Sequence, residues 1–174
     1  DNTTNEAWIP NKEVQQEFIN CIEDSGWEEV MNAIRKSDEL LKATLNRDED
    51  RVAEIIEEVH RQNTSVIAYN NELSLSVTLS LAYYSARKHY EIIREFPSGE
   101  GYADLVFIPR RGVNSPAIVA ELKYNKTAEG AIAQIKQRKY TEKLKAISGE
   151  ILLAGINYDE KTKKHECRIE TVLK

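Results

Sequence analysis

Apolar positions along this chain change their spacing near residue 90, from helical recurrence to alternation. Val14, Phe18, Cys21 and Ile22 recur at helical intervals until Ser25-Gly26 closes the segment. Trp27, Val30, Met31 and Ile34 form a second stripe, a short third helix runs from Glu39 to Leu45, and a fourth opens on Asp48-Glu49-Asp50. Acids at that opening suit the positive end of a helix dipole, and Val52, Ile55, Ile56 and Val59 give the helix its apolar side. His60, at the end of the fourth helix, is expected on the surface or as a helix cap.

Leu73 to Leu81 alternates strictly, as a strand would, but the surrounding segment runs about 20 residues without Gly or Pro, too long for an ordinary strand. It is expected to be a helix that continues through Ala82, Tyr83, Ala86, Arg87 and Lys88. Tyr90 to Phe96 and Tyr102 to Pro109 then read as two strands of a hairpin around Pro97-Ser-Gly-Glu-Gly101. A third strand, Pro116 to Tyr124, follows the turn Arg110 to Ser115, and the three predict an antiparallel meander. Thr127 caps a helix reaching Ser148-Gly149, with Ala128, Ala131, Ile132 and Ile135 inward and a second half rich in Lys and Arg. Ile151 to Ile156 suits a short buried strand, and Lys164 to Val172 a last one.

The net charge of −5 conceals an uneven distribution. Residues 1–60 hold 6 Lys+Arg and 16 Asp+Glu, whereas residues 61–174 hold 18 and 13. A basic carboxy half suits a polyanionic partner, and solvated helix faces account for the imbalance equally well. Cys21 and Cys167 lack metal-site or disulfide spacing and read as reduced, buried thiols. No apolar run approaches a membrane span and no signal peptide stands at the start, so a cytoplasmic protein without membrane contact is expected.

The chemistry gathers on the third strand. There Ile118, Ala120 and Leu122 point one way into a core, while Glu121 and Lys123 share the other face of what reads as a half-buried strand. If the second and third strands pair, Asp104 faces Glu121, and two converging carboxylates repel unless a cation lies between them. Mg²⁺ or Mn²⁺ suits such oxygen donors, with the backbone carbonyl of Leu122 as third ligand. Such an ion polarises a phosphodiester and acidifies a bound water, while Lys123 steadies developing negative charge. A surface ladder of ion pairs would show the same spacing.

Asp104, sixteen intervening residues and then Glu121-Leu122-Lys123 resemble the PD-(D/E)xK nuclease superfamily, with Ala103 where the motif's name has Pro. The chain is similar, more closely, to the carboxy-terminal part of bacterial proteins that join an AAA-type ATPase-like domain to a nuclease-like domain. The matching features are Ile9 to Val14, Gly101 to Asp104, Glu121-Leu122-Lys123, and Ala133-Gln134-Ile135 with Tyr140. Tyr102 and Ala103 stand where that family often carries an Arg.

This resemblance implies an α/β (α+β) restriction-endonuclease-like core, ordered helix, strand, strand, strand, helix, strand around a mixed sheet, preceded by a helical segment. Residues 1–10 would be the tail of a preceding ATPase-like domain, 11–65 a helical linker and 66–174 the nuclease-like domain. Asp104, Glu121 and the Leu122 carbonyl would bind the metal, Lys123 would be the catalytic amine, Gln134 would reach into the site, and Glu72 would be a further ligand. The implied function is Mg²⁺- or Mn²⁺-dependent hydrolysis of nucleic acid, DNA ahead of RNA, with the ATPase-like domain of the same polypeptide as partner. The alternative is a catalytically silent nucleic-acid-binding or regulatory module on the same fold.

Overall fold

The computed structural model describes residues 27–63, 72–98, 101–138, 144 and 149–173. The chain divides into two compact units, Asp1–Arg35 and Lys36–Lys174. Of the first, the described part is the opening of a helix, where Arg35 Nη1 donates to Asn32 Oδ1 at 3.4 Å. The expected helix over residues 14–25 lies outside the described residues, as do Ile9 to Val14, Cys21 and Tyr140.

The helices are α1 (Trp27–Asn46), α2 (Glu49–Asn63), α3 (Glu72–Ala82) and α4 (Ala128–Gln137), with a 3-10 turn at Tyr84–Lys88. The strands are β1 (Tyr90–Ser98), β2 (Gly101–Pro109), β3 (Ala117–Tyr124), β4 (Glu150–Asp159) and β5 (Lys164–Leu173), in one five-stranded sheet ordered β1-β2-β3-β4-β5. β1, β2 and β3 form the expected antiparallel meander, β4 runs parallel to β3, and β5 is antiparallel to β4. This mixed α+β architecture has the element order expected of a restriction-endonuclease-like core, and α4 is the crossover that a parallel β3–β4 pair requires.

Three elements differ from the pattern reading. The two helices expected at Trp27–Ile34 and Glu39–Leu45 are one, because nothing between them breaks a helix. Ser37, between the two expected helices, is buried, and its hydroxyl receives both the N–H and the Oγ of Ser85 at 2.9 Å. The helix at Glu72 stops at Ala82, where bonds such as Ala86 N–H to the Tyr83 carbonyl tighten the chain into the 3-10 turn. α4 ends at Gln137; beyond Arg138, the expected continuation to Ser148 lies outside the described residues apart from buried Leu144.

The sheet is covered on both sides. On one, Leu40, Val52, Ile55, Ile56, Leu75 and Leu79 from α1–α3 pack on inward residues of β2–β5, including Leu105, Phe107, Ile118 and Leu122. Residues 36–63 are thus built into the same core as the sheet rather than standing apart from it. On the other side, Ile132 and Ile135 of α4 cover Val106, Val119, Ile151 and Leu153. Each fully buried side chain of this size contributes about 1.5–3 kcal/mol, so both helical layers are needed to hold the sheet. Gly155 lets α4 come close: a Cβ there would lie 2.3 Å from the carbonyl oxygen of Ala128.

His60 is buried at 7% exposure, not the surface or capping residue its position suggested, because Tyr158 and His165 arrive from β4 and β5 to enclose it. Cys167 is a buried free thiol, as expected. Among the described residues no helix is long and apolar enough to cross a membrane.

Candidate functional site

β3 supplies the centre of the site. Its inward alternation is as expected, with Ile118, Ala120 and Leu122 in the α1–α3 core and Val119 beneath α4. The face bearing Glu121 and Lys123 is not solvated, however: the two are only 2% and 7% exposed. The half-buried strand of the sequence reading is buried on both faces, because a strand paired in parallel and crossed by a helix loses its wet side.

The ladder between β2 and β3 reads Phe107 with Ile118, Val106 with Val119 and Leu105 with Ala120, so the next step sets Asp104 opposite Glu121. There a side chain replaces the ladder: Asp104 Oδ2 accepts the Leu122 N–H at 2.8 Å. A strand residue sends its N–H and C=O to the same edge, so the Leu122 carbonyl also faces β2.

The interruption has a backbone origin that no sequence pattern announced. Arg94 pairs with Leu105 and Phe96 with Ala103, but Glu95, the residue between, does not pair with Asp104 and has φ of 51°. A left-handed conformation at a non-glycine residue costs about 1–2 kcal/mol, and here it marks a kink. Leu105 and Phe107 belong to the α1–α3 core, whereas Ala103 belongs to the α4 core, so the inward side changes across Asp104. Two residues earlier than Ala103, Gly101 has φ of 139°, and a Cβ there would lie 2.9 Å from Nη1 of Arg138. That approach brings a guanidinium from the end of α4 against the start of β2.

Gln134, on α4, reaches the site. Its Nε2 donates to Glu121 Oε1, and Lys123 Nζ donates to the same oxygen at 3.3 Å. Thr127 holds the helix entry as expected, its Oγ1 accepting the Gly130 N–H at 3.0 Å. Asn157, which sequence reading passed over, stands beside Lys123 in the β3–β4 register and is 3% exposed. Its Oδ1 accepts the Lys126 N–H at 3.0 Å and its Nδ2 donates to the Lys126 carbonyl at 2.9 Å, which fixes the path from β3 into α4. An amide inside the apolar run Ile151–Tyr158 was the available signal. Glu72 is the first residue of α3; its side chain is outside the described residues.

Burial pushes the Glu121 carboxyl up to about 7, the Asp104 charge adds to the rise, and Lys123 opposes it. Among the described residues Glu121 Oε2 is buried with no hydrogen-bond partner. An acid with one oxygen spoken for, the other unsatisfied and a second carboxylate nearby is a poor arrangement unless a cation joins it. The donors fit Mg²⁺ or Mn²⁺: both are hard oxygen-seeking ions, and Mg²⁺ is commonly held by only one or two carboxylates. Among the described residues no three His, Cys, Asp or Glu side chains converge; the described oxygens nearest this point are those of Asp104 and Glu121, with the Leu122 carbonyl on the same edge.

No curated protein matches the chain. Among solved structures it is similar to the crystal structure of a repair endonuclease from Pyrococcus abyssi, at 20% identity and a TM-score of 0.34. That match covers 52% of this chain and 38% of the other, so the chain spans well under half of that protein. Residues 76–167, which are 92 of the 174 and contain Asp104, Glu121, Lys123 and Gln134, match the family model for the PD-(D/E)XK nuclease superfamily. The chain belongs to the PD-(D/E)XK nuclease superfamily.

Proposed function

We propose that this chain hydrolyses phosphodiester bonds of nucleic acid, with DNA the favoured substrate, and does so with a divalent cation held by Asp104, Glu121 and the Leu122 carbonyl. The observation that carries this reading is the buried Glu121 Oε2, without a hydrogen-bond partner among the described residues and set across the β2–β3 pair from Asp104. When bound, Mg²⁺ or Mn²⁺ would polarise the phosphodiester and acidify the attacking water. Asp104 and Glu121 supply the negative charge that attracts the ion. Gln134 and Lys123 hold one Glu121 oxygen, and the other would be the one to hold the ion. Lys123, a buried ammonium beside Glu121, neutralises charge that builds on phosphate oxygens. Glu72 is a further ligand in this proposal, as its family pattern suggests.

An ATPase-like domain of the same polypeptide, a bacterial origin and a cytoplasmic setting belong to the same proposal and are supported by the sequence resemblance. Division into a tail at 1–10, a helical linker at 11–65 and a nuclease domain at 66–174 is likewise proposed, with residues 36–63 of the linker packed on the nuclease sheet. The test is cleavage of plasmid DNA and of RNA with Mg²⁺, Mn²⁺ or a chelator. Cleavage that depends on the metal and disappears in Lys123→Ala is expected; full-length protein that cuts neither polymer with either ion would refute hydrolysis.

One observation favours a second reading. Glu121 Oε1 already holds Lys123 and Gln134, so the site satisfies half of its acid from within. A catalytically silent module that binds nucleic acid on this fold would tolerate that closure. Calorimetry separates the two, since the silent module takes up no Mn²⁺.

A further inference from the structure

The chain is acidic overall, yet the end of the sheet remote from Glu121 is cationic. Arg87, Lys88 and His89 finish the 3-10 turn, and Arg110 and Arg111 open the β2–β3 turn; all five are exposed. Twenty-odd residues separate the two groups in sequence, but the fold locks them together. Arg110 donates its N–H to the His89 carbonyl at 2.9 Å and its Nε to the Arg87 carbonyl at 3.0 Å, and Val113 N–H closes the turn on the Arg110 carbonyl at 2.9 Å. Tyr90 pairs with Pro109 directly beneath. The platform is therefore set by backbone bonds, not by the pairing of its own charges. Among the described residues its one ion pair is Lys88 with Asp38, at 3.9 Å and largely exposed. Glu91 is the other nearby acid on β1.

A groove of about 450 Å³ adjoins the platform, with Lys42, Lys88 and His89 on its rim and Leu41, Leu45 and Tyr90 among its apolar lining. Arg110 lies six positions after Asp104 along the chain, roughly 20 Å at about 3.3 Å per residue.

We infer that Arg87, Lys88, Arg110 and Arg111 form a second phosphate-binding surface, which holds the backbone of a nucleic acid at the end of the sheet remote from the candidate centre. The inference rests on the proposed nucleic-acid reading and adds where the polymer is gripped. Fixed cations concentrated on an otherwise acidic molecule focus a local positive potential, and Arg forks match phosphate oxygens. An acidic peptide would find the same charge, so polyglutamate is set against nucleic acid in the test.

The test uses the full chain in chelator, so that cutting plays no part. Anisotropy of a labelled duplex is followed over a salt series for the unaltered chain and for a variant combining Arg87→Gln, Lys88→Gln and Arg111→Gln. Three lost phosphate contacts should make the slope of log affinity against log salt shallower by about 3 and weaken binding at low salt at least about tenfold. The melting temperature should not move, and a charge-keeping Arg87→Lys, Arg111→Lys variant should retain most of the binding. Unchanged affinity and slope would overturn the inference, and so would an unaltered chain that binds polyglutamate but no nucleic acid. Metal-dependent cleavage with patch-independent binding sinks this inference alone. Patch-dependent binding without cleavage sinks hydrolysis alone.

Discussion

Two buried polar clusters lie on this sheet, and they solve the problem of burial in opposite ways. At the β2–β3–α4 centre, Glu121 is forced under α4 beside a second acid, which pushes its carboxyl up to about 7. At the α2–β4–β5 edge, His60 and His165 meet at 5.3 Å between ring centroids, each also in edge or tilted contact with Tyr158. Burial lowers both imidazoles, His165 to about 3, so this cluster is neutral near pH 7 and packs as aromatics do. The histidine edge, being neutral, needs no counter-charge. The carboxylate centre is strained electrostatically, and that strain separates a site from a core.

The largest way to break the comparison is to remove the working acid or amine. Glu121→Ala or Lys123→Ala should lower cleavage at least about a thousandfold while leaving the far-ultraviolet spectrum intact. The equivalent loss at the edge, His165→Phe, should leave cleavage unaltered, and a plasmid assay at pH 8 reads both.

Proton linkage sharpens the contrast. The His165 imidazole binds its proton less readily folded than unfolded, so its contribution to stability is present above about 6.5 and is lost as pH falls towards about 3. Glu121 has the reverse sign: its folded carboxyl keeps a proton to higher pH, so stability is lost as pH rises from about 4.5 through about 7. Each effect is on the order of a few kcal/mol, the histidine one larger because its shift is larger. Denaturant melts across pH should therefore show that His165→Phe flattens the acid limb. Glu121→Gln should flatten the neutral limb, and Mn²⁺ should do the same for the unaltered chain by stabilising the ionised carboxylate.

Why the centre was legible and the edge was not follows from where each keeps its information. Glu121 and Lys123 declared themselves by alternation within eight residues, and a simple hairpin argument carried Asp104 to them. His60 looked superficial because its enclosing partners, Tyr158 and His165, come from strands about a hundred residues away. Within the site, local pattern also fell short. Nothing in Glu95 announces a left-handed kink, since the residue there is not glycine. Periodicity showed α4 as an amphipathic helix, but Gln134 was singled out through family resemblance, because only the tight contact at Gly155 decides how far its side chain reaches. The helices of residues 36–63 were read correctly as helical stripes and yet not as part of the sheet's own core, which stripes alone do not specify.

The smallest expected effect probes that contact. Gly155→Ala would set a Cβ 2.3 Å from the Ala128 carbonyl and about 3 Å from Ile132 and Ala131, so α4 must retreat from β4. Overpacking of this kind costs about 1–3 kcal/mol, less than the linkage effects above. Because Gln134 lies on the helix that moves while Asp104 and Glu121 stay on the sheet, the retreat should weaken the Gln134 bond to Glu121 without separating the carboxylates. Mn²⁺ affinity should then fall only a few-fold while cleavage falls further. A variant that loses stability but keeps full cleavage would show that Gln134 need not touch Glu121, and would return α4 to the role of a lid over an apolar face.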